Sequence, residues 1–99
     1  MSQATFQRDI CVPADHPSLP GHFPDAPLVP GVMLLEQVAL ALRDWRGQRL
    51  ARVPEAKFLA PLRPAQNAVI ALTESNGRVR FEIRGDDELV ARGTIEGAP

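Results

Sequence analysis

Apolar and polar positions alternate along residues 5–12, where Phe6, Ile10 and Val12 fall on one side and Thr5, Gln7 and Asp9 on the other, with Arg8 interrupting the apolar side. This period of two predicts a half-buried strand. The alternation then stops. Pro13, Pro17, Pro20, Pro24, Pro27 and Pro30 crowd the next stretch, and each proline removes a backbone donor, so neither helix nor ladder fits there. A connection of 18 residues is long for so small a chain, and such loops tend to be functional or disordered. Leu19, Phe23, Leu28 and Val29 give it apolar side chains to bury, which predicts a structured loop. From Val32 to Leu42 the chain reads VMLLEQVALAL, with only Glu36 and Gln37 polar. A helix apolar on nearly every side belongs in a core. Pro30 suits its first turn and Gly47 the position just past its end. The last turn, with Arg43, Asp44 and Arg46 around Trp45, reaches solvent.

The remainder alternates again. Residues 50–60 carry Ala56, Phe58 and Ala60 on one face and Glu55 and Lys57 on the other, with Pro54 marking an irregularity or the true strand start. Residues 67–73 and 78–84 flank Ser75-Asn76-Gly77, and Asn-Gly is a strong hairpin signal. In the second of these strands Val79, Phe81 and Ile83 oppose Arg78, Arg80, Glu82 and Arg84. Gly85-Asp86-Asp87 turns the chain into a last strand, about 88–96. The predicted order is strand, long loop, buried helix, then four strands in an antiparallel meander. This is an α+β domain, 1–99, in which a curved antiparallel sheet wraps around one central buried helix. One small sheet covers an all-apolar helix only in part, which favours a dimer.

Composition narrows the function classes. The chain has 99 residues, 44% of them hydrophobic and 23% charged, with a net charge of -1. One domain of ordinary globular balance fits these values. Binding to nucleic acid or to an anionic membrane needs a basic excess that is missing. Arg78, Arg80 and Arg84, with Arg92 adjacent, read as a solvated sheet face, or as a face for an acidic carrier protein; they lack the interleaved aromatics of a nucleic-acid site. No apolar run is long enough to span a bilayer. The start, MSQATFQRDI, lacks the layout of a secretory signal, so a cytoplasmic protein is expected. The single cysteine, Cys11, excludes an internal disulfide, and it reads as a buried strand cysteine rather than a thiol nucleophile beside His22.

Candidate chemistry gathers in the loop and the helix start. His22 stands on a proline-stiffened segment, and its imidazole titrates near physiological pH. Glu36 is the lone carboxylate on the half of the helix expected to be enclosed, where loss of water would favour its protonated form. Gly31 lies where backbone amides point out of the helix start, an end that attracts developing negative charge. A base, an acid and an oxyanion-binding amide suit proton transfer next to a carbonyl. Plainer roles exist for each. His22 fits a loop histidine bonded to backbone, and Gly31 fits a tight-turn glycine. Glu36 falls in one helical sector with Gln37, Arg43 and Asp44, the pattern of a solvated stripe, though Leu40 interrupts it. His16 and His22 with Asp15 or Asp25 match no usual metal spacing.

The segment GHFPDAPLVPGVMLLEQVALAL resembles the signature of the hotdog-fold 3-hydroxyacyl-(acyl-carrier-protein) dehydratases of fatty-acid synthesis. Their pattern runs Gly-His-Phe-Pro, a proline-rich stretch, Pro-Gly-Val, then a helix carrying an acidic residue. The family's histidine matches His22 and its helix carboxylate matches Glu36, at the family's own spacing of fourteen. KFLAPLRPAQNAVIAL is similar to the strand that follows the family's helix, so the resemblance covers nearly the whole chain. Length and the His16-Pro17 lead-in are closest to the small dehydratase-like proteins of aryl-polyene pigment clusters.

The resemblance implies a hotdog homodimer, or a higher homo-oligomer, with the two sheets side by side and each site at the interface. His22 of one subunit would take the C2 proton of a 3-hydroxyacyl thioester, and Glu36 of the other would donate to the departing C3 hydroxyl. The Gly31 amide would polarise the thioester carbonyl, leaving a trans-2-enoyl product. The acyl chain is expected along Phe23, Pro30, Val32 and Leu40. No metal or cofactor is implied, since the phosphopantetheine arm belongs to acyl carrier protein or CoA. Asp25 stands where the family usually has glycine, Leu40 replaces a glutamine that helps position the carboxylate, and the chain is shorter than typical members at both ends. A hotdog thioesterase, with Glu36 directing water at the thioester carbonyl, and a non-catalytic acyl-binding module are the alternatives.

Overall fold

A computed structural model of the chain describes residues 5–13 and 28–99. The elements are β1 (Thr5–Ile10), α1 (Gly31–Arg46), β2 (Arg49–Phe58), β3 (Ala68–Ser75), β4 (Arg78–Gly85) and β5 (Glu88–Ala98). Their bounds follow local chemistry. Pro30, extended at φ -61° and ψ 148°, immediately precedes the helix rather than joining its first turn. Gly47 ends the helix in the left-handed region at φ 66°, its N–H donating to the Arg43 carbonyl, a conformation that glycine adopts without a Cβ penalty. Arg43 and Arg46 in the last turn face the negative end of the helix dipole. Asn76 and Gly77, both at positive φ, make the predicted hairpin turn between β3 and β4. Asp86 and Asp87 repeat that geometry before β5, at φ 51° and 63°, and Gln66 Nε2 donates to Asp86 Oδ2 at 2.8 Å.

The strands form one antiparallel sheet in the order β1-β3-β4-β5-β2. The expected four-strand meander is therefore corrected. β3, β4 and β5 form a meander, but β2 pairs with β5 at the far edge rather than with β3. The physical reason lies in residues 59–67, which hold Pro61 and Pro64. That segment is too long and too poor in backbone donors for a tight hairpin, and it carries the chain past β5 and β4 instead.

Inward-facing rows cross the sheet and explain the core. One row runs Phe6, Leu72, Phe81, Gly93 and Ala56; the next runs Arg8, Ile70, Ile83, Ala91 and Phe58. Against them the helix sets Met33, Leu34, Val38, Ala41 and Leu42, all buried. Burying Phe81 alone contributes about 1.5–3 kcal/mol. The helix approaches both β1 and β2, the opposite edges of the sheet, so the sheet curves around it as predicted. Arg8, the flaw in the first alternation, sits half-buried on the inward side and its guanidinium pairs with Asp44 of the helix. Arg46 stacks its guanidinium over the Trp45 ring at 4.1 Å and pairs with Glu74 of β3. Trp45 in turn stacks on Phe6. These contacts tie the C-terminal end of the helix to β1 and β3.

Two expectations about exposure are corrected. Cys11 is exposed, because β1 ends at Ile10 and the next residue points outward. The helix is not enclosed on every side, since Val32 is 64% and Leu40 43% exposed. Phe58, on the face it shares with Ala56, is 49% exposed. It has the inward orientation but overhangs the start of the helix. No helix among the described residues is long and apolar enough to cross a membrane.

Candidate active site

The site begins at the first turn of α1. Met33 N and Leu34 N donate to the Pro30 carbonyl at 3.0 and 3.3 Å. The Gly31 and Val32 amides precede these bonds and find no backbone acceptor among the described residues, as the first amides of any helix must. The first turn holds no acidic residue, so no side chain of that turn offsets the positive end of the helix dipole. Beside it lies an apolar cavity of about 420 Å³, lined by residues 28–31 and Leu34 on one side and residues 58–62 on the other. Backbone bonds hold both walls: Val29 N donates to Leu62 O at 2.8 Å, and Leu59 N and Ala60 N donate to Val90 O at 2.8 and 3.2 Å. The Phe58 ring covers the helix start. A Cβ added to Gly31 would lie 2.9 Å from its Cζ and 3.1 Å from Cε1, so the glycine lets the ring rest against the bare Cα.

Of the residues predicted for the site, the structure brings Pro30 and Gly31 together at this cavity. Val32, Glu36 and Leu40 follow one another at intervals of four on a separate, exposed side of the helix. At 100° per residue Glu36 points about 140° away from Gly31. Glu36 is thus not enclosed by its own chain, which corrects the expectation of a buried carboxylate. The alternative sector of Glu36, Gln37, Arg43 and Asp44 is the one seen at the surface, with Leu40 inside it. Val32 and Leu40 do not line the cavity. His22 and Phe23 lie outside the described residues, as do His16, Asp15 and Asp25. Among the described residues no group of three or more His, Cys, Asp or Glu gathers to hold a metal.

Phe58, Leu34 and Leu62 were not predicted for the site. Alternation assigns Phe58 to the inward face, which is correct, but only the position of β2 at the sheet edge puts that face over the helix start.

A family model described as ApeI-like, ApeI dehydratase, matches residues 1–94. The chain belongs to the ApeI-like dehydratase family. Family membership makes it a hydro-lyase by class. Among curated relatives it is 28% identical over 110 residues to the 3-hydroxyacyl-(acyl-carrier-protein) dehydratase FabZ of Chlamydia pneumoniae, covering 95% of this chain and 71% of the relative. It is 33% identical to the FabZ of Methylobacterium radiotolerans, over 85% of this chain and 64% of that one. Among solved structures, a chain of the dehydratase heterocomplex ApeI:P from Xenorhabdus doucetiae superposes with a TM-score of 0.83 at 20% identity, covering 99% of this chain and 90% of that one. A 1,4-dihydroxy-2-naphthoyl-CoA thioesterase from Synechocystis superposes at 0.67 with 17% identity, over 97% and 89%. At such identities the superpositions establish the fold. It is the hotdog fold anticipated from the sequence.

Proposed function

We propose that this ApeI-like protein removes water from 3-hydroxyacyl groups carried as thioesters, on acyl carrier protein or CoA, to give trans-2-enoyl thioesters in fatty-acid or aryl-polyene synthesis. The observation that carries the proposal is the pair of amides at Gly31 and Val32, without a backbone acceptor among the described residues and beside an apolar cavity of about 420 Å³. An α-proton next to a thioester is acidic enough for an imidazole only where the developing enolate oxygen is stabilised, and preorganised amides at a helix start do this without reorganising. His22 takes the C2 proton. The C2–H electron pair becomes the C2–C3 double bond as the C3–O bond breaks, and Glu36 protonates the departing hydroxyl so that it leaves as water. The Gly31 amide holds the carbonyl oxygen throughout. No step calls for a metal or a cofactor.

Glu36 and Gly31 occupy different sides of one helix, so the site uses the Glu36 of a second subunit. Val32, Leu40, Val53, Phe58 and Leu59 are the exposed large apolar residues among those described, two on the helix and three on or beside β2. A second chain adding its sheet along the β2 edge covers this patch and removes water from Glu36. The Xenorhabdus doucetiae neighbour is a heterocomplex, ApeI:P; for this chain a homodimer is the form proposed, and a companion of different sequence in the second position is the alternative assembly.

The hotdog likeness to a thioesterase is separated by the product. Incubated with a 3-hydroxybutyryl thioester, the protein is expected to generate enoyl absorbance without free thiol. Glu36→Gln and His22→Ala should each lower that rate by about 100-fold or more. Release of thiol without enoyl formation would replace the proposal with hydrolysis, and binding without turnover would replace it with an acyl-binding module.

A further inference from the structure

The outer face of the sheet, turned away from the helix, carries two polar rows that adjoin the inward ones. One runs Thr73, Arg80, Thr94 and Glu55; the other runs Ala71, Glu82, Arg92 and Lys57. These side chains line a recess of about 440 Å³. The short, half-buried Ala71, Thr73 and Thr94 form its floor, and the long, exposed Lys57, Arg80 and Arg92 stand around it. Lys57 lies directly opposite Arg92, and like charges so placed destabilise an antiparallel pair. Arg80 is the diagonal neighbour of Arg92 on the adjoining strand. None of the three cations forms an ion pair among the described residues. Two carboxylates also line the recess. Glu82 faces Arg92 in register but pairs with Arg84, at 3.6 Å, which lies outside the lining. Glu55 stands across Thr94 from Arg80. With Glu82 engaged elsewhere, three positive charges are set against one negative. The Thr73 and Thr94 hydroxyls make no hydrogen bond among the described residues, so both can donate into the recess.

We infer that this recess on the outer face of the sheet binds a phosphoryl group, the dianion of a small soluble phosphomonoester, between Lys57, Arg80 and Arg92. Two guanidiniums and an ammonium above hydroxyl donors suit a tetrahedral oxyanion, which accepts from several directions at once. The bound dianion also relieves the repulsion between Lys57 and Arg92. A phosphate on a membrane surface fits less well, because the chain as a whole carries a charge of -1 and lacks the basic excess that an anionic surface attracts. The recess lies on the opposite face of the sheet from the proposed thioester cavity, so the inference does not depend on dehydration.

The test titrates inorganic phosphate into the intact protein at about pH 8, where the dianion dominates, with ionic strength held constant by sodium chloride. Amide shifts in the NMR spectrum should saturate, cluster on β3, β4 and β5 around the recess, and give a Kd below about 10 mM. Arg80→Gln and Arg92→Gln should each weaken binding by about threefold or more. Glu55→Gln removes the opposing charge and should tighten it by about twofold, a gain that damage to the fold cannot produce. Shifts that grow without saturation, a Kd indifferent to both arginines, or a Glu55→Gln variant that binds no more tightly would overturn the inference. Sedimentation with vesicles of phosphatidic acid in phosphatidylcholine separates the sources of the phosphoryl group. Protein that stays in the supernatant while free phosphate binds supports the soluble ligand, and protein that sediments with the vesicles overturns it in favour of a lipid headgroup.

Discussion

Gly93 is the residue at which a single methyl group should do most damage to this fold. It stands in β5 opposite Phe81 of β4 and Ala56 of β2. A Cβ there would meet the Glu55 carbonyl oxygen, with the Phe81 Cε2 at 2.6 Å and the Ala56 Cα at 2.9 Å. Carbon atoms rest at about 3.5–4.0 Å, so the Phe81 ring would have to retreat by about 1 Å into a core where it is 1% exposed. Overpacking of that kind costs about 1–3 kcal/mol. The ring is not the only obstacle, because the Glu55 carbonyl belongs to the backbone of β2 and cannot turn aside as a side chain would. Moving it disturbs the pairing of β2 with β5 at a register shift between Arg52 and Glu55. We expect Gly93→Ala to cost about 3 kcal/mol or more, against a total of about 5–15 kcal/mol for a domain. At roughly 4–8 °C per kcal/mol, this corresponds to a fall in Tm of about 12–24 °C. Gly97→Ala is the internal comparison. Its nearest contacts are Gln48 Oε1 at 2.5 Å, the far end of a flexible side chain, and Leu42 Cδ2 at 3.1 Å, with no backbone atom among them, so a cost of about 1 kcal/mol is expected. Thermal melts of the two variants beside the parent decide the matter. A Gly93→Ala Tm within about 3 °C of the parent, or below which Gly97→Ala falls, would refute the reasoning from close approach.

Two further outcomes concern charge and assembly. The Arg46 hydrogen bond, with a smaller Coulombic contribution, holds the Glu74 carboxyl below its ordinary value against the opposing effect of burial; since the unfolded chain titrates at the ordinary value, the stability gained is complete above that value and is lost as pH falls through the lowered one. The Tm advantage of the parent over Glu74→Gln should therefore be present at neutral pH, shrink below about pH 4.3, and weaken with added salt; an advantage independent of pH would sink the assignment. Leu40, 43% exposed in one chain, is placed under a second subunit by the proposed dimer, so Leu40→Lys should shift the mass seen by light scattering toward the 10.8 kDa monomer; a parent that is already monomeric, or a variant that remains dimeric, would contradict that placement.

The parts of the molecule legible in the sequence are those set by near neighbours. Gly47 closes the helix, Asn76-Gly77 closes the hairpin, and the alternation of Val79, Phe81 and Ile83 assigns β4 to its face, because each depends on a few consecutive residues. The placement of β2 was not legible. Pairing with β5 is a long-range choice, and residues 50–60 alternate in the same way whichever neighbour they join. Arg8 looked like a flaw because its partner, Asp44, lies 36 residues away. Glu36 shows the same limit. Its helical sector is readable from residue spacing, but whether that sector meets solvent, sheet or another chain is not a local property. Gly31 was identified from the chemistry of helix starts, whereas the ring above it depends on how the sheet edge curves. His22, the other half of the proposed chemistry, lies outside the described residues.

The opposed directions of Gly31 and Glu36 on one helix have a consequence for inheritance. Under the two-subunit reading each polypeptide is a donor of two unlike halves, neither of use to the other until chains associate. A lesion in the amide half and a lesion in the carboxylate half then fall into different complementation groups within a single gene, since a mixed pair regains one intact centre of its two. A lesion that blocks association is different in kind, because it silences both centres at once and no companion allele of the same defect restores them.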